Sequence, residues 1–321
     1  MAQTTGRMTL WGIETFIAVA EEGSVSAAAR RLGASPSGVS QQLAGLEAAL
    51  GATLMDRSTR PVSLTPAGQM FRRRAQTILA ESQQAKAELA AHDLSALTDF
   101  RLGMIEDFDA DVTPRLLADM AGELQTCQFL LETGASHRLF GLLDGRALDM
   151  IVAADMGAAA DWMEVHPLLK EPFVAAVPAG MIDPDSDVLR QLQALPLIQY
   201  TQRHHMGRQI AEHLARQHLT LAHRFELDSY HAILSMVASG SGWTILTPLG
   251  YLRAQRFRDQ VTLMPLPFAP LSRTISLSAR SGVLQDMPSN VAARLRPLLD
   301  EMIVTPATAH LPWLQGDLAV L

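Results

Sequence analysis

Residues 16–68 read FIAVAEEGSVSAAARRLGASPSGVSQQLAGLEAALGATLMDRSTRPVSLTPAG, and the spacing of their apolar side chains decides the fold of the amino-terminal end. Phe16, Val19 and Ala20 recur at the i, i+3, i+4 interval that places apolar groups on one helix face. Gly23 ends that helix. A second helix follows, capped by Ser24 or Ser26, with Val25, Ala28, Ala29 and Leu32 along one face and Gly33 as its stop. The third opens with Ser35 at the N-cap and Pro36 at the first helical position, where a missing N–H costs nothing because that donor has no partner in any helix. Its Val39, Leu43, Leu46 and Leu50 fall in one arc that must pack on the other two helices. Helices joined by so short a turn form a helix-turn-helix.

Ser37 and Gln41 face away from that arc, beside the small residues Ala44, Gly45 and Ala48. A glutamine can pair with the N6 and N7 edge of adenine in the major groove, a contact that discriminates by about 1–3 kcal/mol. Gln41 is therefore the candidate base reader, with Ser26, Ser35, Ser37, Ser40 and Gln42 as further polar groups toward DNA. The small neighbours leave much of the readout to DNA shape. Residues 54–64 read as two short strands around a turn, a wing with Arg57 and Arg60 near its tip to neutralise phosphates, and Arg30 and Arg31 add two cations at the end of the second helix. The alternative is that these arginines only solvate a surface.

The motifs F-x-x-V-A-E-x-G-S, A-A-R-R-L, V-S-Q-Q-L-x-x-L-E, L-G-x-x-L-M-D-R and L-T-P-A-G resemble the amino-terminal domain of LysR-type transcriptional regulators. The likeness runs without a gap from Thr9 to about Leu79 and continues more weakly through most of the chain. It implies a winged helix-turn-helix with its paired helices on roughly residues 25–44, and double-stranded promoter DNA as a partner. Pro36 stands where the family often has Gln, and Gln41 where it often has Arg, which implies an altered operator.

A chain of 321 residues with 48% hydrophobic and 18% charged content is long enough for two or three cores and argues against wholesale disorder. No apolar run approaches the ~20 residues a membrane span needs and the start has no signal-peptide core, so the expected location is the cytoplasm, with no membrane partner. The single cysteine, Cys127, excludes an internal disulfide and a two-thiol switch, and its apolar neighbours suggest a buried structural thiol. Eight cations against five acids give residues 1–75 a charge of +3, and the net −7 leaves −10 for the remainder. A basic head on an acidic body suits a dimer that holds DNA at one end. Neutralising about six phosphates would give a slope of roughly −5 in log K against log salt.

Four segments are expected: a DNA-binding domain at 8–66, a linker helix and hinge at 67–98, an effector-binding domain at 99–305 and a tail at 306–321. Thr65 caps the linker helix and Pro66 starts it, and Phe71, Ala75, Ile78, Ser82, Ala85 and Leu89 alternate by four and three as a heptad seam. The seam predicts a homodimer reading two half-sites, and the resemblance extends this to a homotetramer, with RNA polymerase as a further partner if the protein activates. The other reading is a helix packed on its own domain. The tract His92–Asp99 reads as a hinge.

From Phe100 the pattern becomes short apolar runs, such as FRLGMI, FLLE, LDMIVAA, PFVAAVP, PLIQY, GWTIL and ISLSA, separated by helical stretches at 113–124, 136–145, 207–218 and 229–239. That alternation predicts an α/β region with parallel sheets. The resemblance adds a two-lobed fold of the type 2 periplasmic-binding-protein kind, with lobe one at 99–170 plus 270–305, lobe two at 171–269, and crossings near PFVAAVP and RTISLSA. Ligands of open α/β folds bind beyond the carboxyl ends of strands. This nominates Glu106, Asp107 and Phe108, then Ala135, Ser136 and His137, then Tyr200, Thr201 and Arg203, then Asp228 and Trp243, for a small-molecule effector. The acids at 106, 107, 109 and 111 suggest an amine held by Asp107 and stacked on Phe108 or Trp243. They fit equally a solvated helix start, and Arg203 points instead to a carboxylate, so a zwitterion satisfies both. Gly240-Ser241-Gly242 lacks the context of a phosphate turn or nucleophile elbow, and His204, His205, His213, His218 and His223 are off a shared helix face, so they are read as surface or cap histidines. No catalytic residue, metal site or cofactor is expected; an α/β enzyme or solute-binding module fused to the head is the alternative.

Overall fold

The computed structural model describes residues 7–90 and 98–321, with the backbone alone at 83, 84, 86–90 and 255. Two compact units emerge, one amino-terminal and one built from most of the remainder.

The amino-terminal unit starts with α1 (Leu10–Glu22), where the Thr9 hydroxyl accepts the Gly12 amide at 3.0 Å and Gly23 closes the helix in the left-handed conformation, φ 61°. In α2 (Val25–Arg31) Ser24 is the cap; Ser26 is exposed instead. Ser35 caps α3 (Pro36–Leu50), accepting the Gly38 amide at 3.1 Å. Ile13, Phe16, Val19, Ala28, Ala29, Val39, Leu43 and Leu46 are buried together. Leu50, expected on the same arc, sits on the last turn beside the Gly51 cap and is 37% exposed, so the buried face of α3 ends at Leu46. Strands β1 (Met55–Asp56) and β2 (Ser63–Leu64) pair antiparallel as the wing.

Helix α4 (Pro66–Ala90) follows, its first turn capped by Thr65, whose hydroxyl accepts the Gly68 amide at 3.0 Å. The expected seam is divided. Ala75 belongs to the buried core of this unit, Phe71 and Ile78 pack on it, and the Phe71 ring lies 5.3 Å from that of Phe16. These three side chains meet their own domain, which corrects a seam running from Phe71; Ser82 is half-buried, Ala85 exposed, and the Leu89 side chain lies outside the described residues. So does the expected hinge as far as Leu97.

The second unit runs β3 (Asp99–Met104), α5 (Val112–Glu123), β4 (Gln128–Thr133), α6 (Ser136–Asp144), β5 (Met150–Ala154), β6 (Met163–Pro172) and β7 (Val174–Pro178). It continues with α7 (Val188–Gln193), β8 (Leu197–Tyr200), α8 (His205–Arg216), β9 (His223–Leu227), α9 (Tyr230–Ala238), β10 (Thr244–Leu246), α10 (Pro248–Arg253) and β11 (Val261–Pro265). Then come β12 (Ser272–Arg280), α11 (Met287–Leu299), α12 (Thr305–His310) and β13 (Ala319–Val320). Lobe one is a six-stranded sheet in the order β13-β6-β12-β5-β3-β4; lobe two holds β10-β7-β11 and β8-β9, linked by the bridge between Leu197 and Trp243.

The sheets are mixed, not parallel as expected. β3 pairs parallel with β4 and β5, as does β8 with β9, whereas β12 is antiparallel to both β5 and β6, and β7 to both β10 and β11. The antiparallel partners include the strands that carry the chain between lobes, which need no covering helix. Those crossings fall at Phe173, whose amide donates to Leu271 at 2.8 Å, while Pro172 still pairs with Ser272. Glu171 and Pro172 thus belong to the sheet of lobe one, two residues beyond the expected boundary.

Residues 306–321 are no appendage. Ala307, Leu314 and Leu318 are buried, β13 adds an edge strand to β6, and the Arg296 Nε donates to the Leu321 carbonyl at 2.6 Å. A strand of two residues carries no periodicity to read. Replacing fully buried Leu314 by Ala should lower unfolding stability by about 2–5 kcal/mol in urea titrations, whereas a detached tail would give no change.

Candidate functional site

The outer face of α3 is polar and small: Ser37, Gln41, Ala44 and Gly45 line it, Ser35 shares a 3.2 Å hydrogen bond with Ser37, and Ser40 and Gln42 are half-buried. The four expected phosphate cations differ in their surroundings. Arg31 Nη1 bonds Glu21 at 2.7 Å and Glu22 at 3.4 Å, and Arg57 pairs with Glu47 at 2.9 Å. Glu47 also accepts the Leu54 and Met55 amides at 2.8 and 3.1 Å, so it fixes the wing to α3. Arg30 and Arg60 are exposed, and no described side chain pairs with either.

Between the lobes of the second unit lies a cavity of ≈ 80 Å³, whose lining includes Asp107, Ser136, His137, Tyr200, His204, His205, Tyr230 and Arg273. Two helices begin at it, α6 with Ser136 and His137, and α8 with His205 after His204 at the N-cap. The first-turn amides of a helix have no internal partners and carry its positive dipole end. Gly207 permits the tight entry to α8, since a Cβ there would meet the Thr201 carbonyl oxygen at 2.1 Å. Arg208 holds the preceding loop, donating to the carbonyls of Gln202 and Arg203 at 3.1 and 2.9 Å. The His137 and His204 rings lie 5.3 Å apart, and the Tyr200 ring is 5.7 Å from His204 and 5.5 Å from Tyr230. Burial, then the nearby His204 and Arg208, holds His137 below its ordinary 6.5; burial and then Arg208 do the same to His205. Burial raises both tyrosines, which remain neutral phenols; Tyr200 donates to the Asp228 carbonyl at 3.0 Å and Tyr230 to Met206 Sδ at 3.4 Å.

Beneath the cavity is a buried ion cluster. Arg273 on β12 meets Glu171 on β6 at 2.7 Å and Asp107 at 3.0 Å, and reaches the Thr247 hydroxyl at 3.4 Å. The second Glu171 oxygen accepts the Leu249 amide at the start of α10, at 2.8 Å. Complete burial pushes the Glu171 carboxyl up to about 7 against the pull of Arg273. For Arg273 burial acts downward, but the charges of Glu171 and Asp107 outweigh it and keep the guanidinium cationic. The second Asp107 oxygen, Oδ1, is buried without a hydrogen-bond partner, as is His137 Nδ1.

The bacterial regulatory helix-turn-helix family named lysR matches residues 10–69, and the LysR substrate binding domain matches residues 98–303. The chain belongs to the LysR family of transcriptional regulators. A probable hydrogen peroxide-inducible genes activator of Mycobacterium xenopi is 35% identical over 180 residues, covering 56% of this chain and 95% of that protein. The DNA-binding transcriptional dual regulator OxyR of Escherichia coli is 25% identical over 296 residues, covering 91% and 96%. A full-length OxyR variant from Pseudomonas aeruginosa, carrying one substitution, shares the fold, with a TM-score of 0.66 and 24% identity over 91% of this chain and 95% of that one. The protein is thus a DNA-binding regulator with an effector domain and not an enzyme.

Within this LysR-family domain the expected effector residues divide. Glu106, Asp107, Ala135, Ser136, His137, Tyr200 and Asp228 line the cavity. Phe108 and Trp243 do not: both are wholly buried in the core and offer no face to stack on. Thr201 is also buried, its hydroxyl donating to Glu226 at 2.6 Å, and Arg203 Nε turns to Thr201 at 3.4 Å, outside the lining. The acidic cluster is not a free cation receptor, because Asp107 is held by Arg273, and Arg253 lies 3.2 Å from Asp109 and 3.9 Å from Glu106.

Sequence reasoning missed Arg273, Glu171, His204, His205, Met206, Gln209 and Tyr230. His204 and His205 were read as surface or cap residues, yet both face the cavity; His213 is buried and bonds the Ala269 carbonyl at 2.8 Å. Among the described residues no group of three His, Cys, Asp or Glu could hold a metal ion, and no helix is long and apolar enough to cross a membrane. A single charged residue inside the apolar crossing strand RTISLSA was the available signal for Arg273, since such a group is kept only when paired.

Replacing Arg273 by Met leaves two buried carboxylates without their cation and should cost about 3–5 kcal/mol. Because the Glu171 carboxyl is raised in the fold above its ordinary 4.5, it destabilises progressively as pH rises, and loss of Arg273 raises it further. Urea titrations should therefore show a larger deficit for the variant at pH 8 than at pH 6.

Proposed function

We propose that this LysR-family regulator is switched by a small molecule held non-covalently between the two α/β lobes, and that two copies read an interrupted palindrome through α3. The observation that supports the first part is the cavity itself, lined by polar side chains of both lobes, Asp107, Ser136 and His137 from one and Tyr200, His204 and His205 from the other. An effector that fits one lobe angle better than another shifts the protein toward it.

The relatives from Mycobacterium and Escherichia coli are named for hydrogen peroxide and as OxyR. A disulfide within this chain has no second thiol, because Cys127 is its single cysteine. That thiol is half-buried, and burial first, then the charges of Asp99 and Asp149, push it above its ordinary value, which suppresses the reactive thiolate. Non-covalent control is therefore favoured over peroxide sensing through an internal disulfide.

On the DNA side, Gln41 and Ser37 at the exposed face of α3 serve as base readers, while Arg30 and Arg60 serve as phosphate anchors. Arg31 and Arg57 act after releasing Glu21, Glu22 and Glu47. Exposed pairs of this kind contribute about 0–1 kcal/mol and yield readily to a phosphate. Dimerisation through α4 uses positions beyond Ile78, since those up to it serve the head.

Footprints of the full-length protein on selected DNA should change on adding a low-molecular-weight cell extract, and should not change on adding peroxide, with the Cys127→Ser protein behaving identically. No change with extract, or a peroxide response lost in Cys127→Ser, would refute the proposal. Gln41→Ala should relax the preference at one base position by about 1–3 kcal/mol, whereas Arg60→Ala should weaken all duplexes alike and reduce the salt slope by about 1 per protomer, as read by titration across salt concentrations.

A further inference from the structure

The structure assigns Arg253 a positioning role: from outside the cavity it holds the angle between the lobes through α10, and an effector acts on the regulator by loosening or tightening that hold. The inference rests on the proposed interlobe site as the place where the effector binds.

Helix α10 belongs to lobe two, yet lobe one grips it at both ends. At its start the Leu249 amide donates to buried Glu171 at 2.8 Å, and the Thr247 hydroxyl that caps it lies 3.4 Å from Arg273. At its end the Arg253 guanidinium meets Asp109 at 3.2 Å and approaches Glu106 at 3.9 Å, too far for a hydrogen bond. Glu106, Asp107 and Asp109 all sit on the turn after β3, so one short segment of lobe one serves both grips. Arg253 and Asp109 lie outside the lining of the cavity, whereas Glu106 and Asp107 belong to it. The helix also backs the wall from lobe two, because a Cβ on Gly250 would meet the ring of cavity-lining Tyr230 at 2.5 Å. An occupant that displaces either wall therefore displaces α10.

The two grips differ in strength, and the difference decides which one gives. The Glu171 and Arg273 side chains are 0% and 7% exposed, and separating them would leave a buried charge uncompensated. The Arg253, Asp109 and Glu106 side chains are 24%, 33% and 61% exposed, where solvent reduces an ion pair to a modest contribution. The buried end is accordingly the pivot, and the Arg253 end is the part that moves. Leu249 and Arg253 are about 6 Å apart along the helix, so a turn of about 10° about the pivot carries Arg253 by about 1 Å, enough to take it out of hydrogen-bond range of Asp109. Beside the cavity α8 also reaches lobe one, but through a neutral bond from Gln209 to the Ser272 carbonyl at 3.3 Å. A modest pair suits a switch, since an effector shifts an equilibrium between two lobe angles only by its own difference in affinity for them, and a stronger latch would resist release.

The test is pulsed electron paramagnetic resonance on the full-length Cys127→Ser protein, with spin labels at Ala118→Cys on α5 and Ala215→Cys on α8, both exposed, and labelled chains diluted with unlabelled ones so that distances within one chain are read. Arg253→Gln should broaden the interlobe distance distribution and displace the amount of low-molecular-weight extract that half-changes the DNA footprint by about two- to fivefold, in keeping with a half-exposed ion pair. Asp109→Asn should do the same, and it carries the test if Arg253→Gln lowers the urea midpoint. Exchanging the charges, Arg253→Glu together with Asp109→Arg, should restore the distribution and the extract requirement, which a mere loss of packing would not allow. A distribution unaltered in both single variants, or a broadening that the charge exchange leaves in place, would overturn the role of Arg253 and leave the interlobe site standing. A footprint that extract fails to move in the parent protein would remove the site reading and this inference with it.

Discussion

A single guanidinium, buried where the two crossing strands meet, is the constraint on which the effector domain depends. Arg273 on β12 and Glu171 on β6 join the two strands that carry the chain between lobes. Glu171 also accepts the Leu249 amide at the start of α10 in lobe two, and Asp107 adds a carboxylate from the turn after β3 in lobe one. Removing three charges from water is costly, and the cluster is tolerable because nearly every oxygen and N–H in it has a partner. The exception is Asp107 Oδ1, which is buried without a partner.

The same cluster explains why a concentration of acids beside a ligand cavity does not make a cation receptor. Charge counted along the chain gives Glu106, Asp107 and Asp109 as neighbours, whereas in space each has an arginine from a distant segment, Arg253 or Arg273. With the acids engaged, the imidazoles and the two helix starts are the polar groups left at that part of the cavity wall. The head presents the converse case: two of its four expected phosphate cations are engaged by glutamates, so its basic character at the surface rests more on Arg30 and Arg60 than the count of charges suggests.

Local rules were sufficient where the chain interacts with itself over a few residues. Ser24, Ser35 and Thr65 cap the helices they precede, Gly23 closes α1, and Pro36 opens α3, because capping is decided within one turn. They failed where a long-range partner competes. Phe71, Ala75 and Ile78 fit a heptad seam in sequence, but Phe16 and the rest of the head core take them up. Trp243 looked like a platform beside a cleft and is instead core. Its neighbour Gly242 lets β10 run so close to β8 that a Cβ would meet the Pro196 carbonyl oxygen at 2.2 Å.

The amino-acid sequence by itself determined that this protein carries a winged helix-turn-helix head, a long helix and an α/β region, because caps, turns and apolar periodicity act between near neighbours; that the α/β region is an effector domain of the LysR kind was implied by the resemblance of its motifs to that family. It also determined, through one cysteine, that no disulfide closes within the chain. Tertiary structure alone decided that the last residues complete a sheet edge, that Arg273 neutralises acids more than a hundred positions away, and that His204 and His205 join His137 around one cavity. The physical reason is that a charge's partner and a side chain's burial are set by distance in space, and sequence spacing fixes that distance only within a turn or a strand.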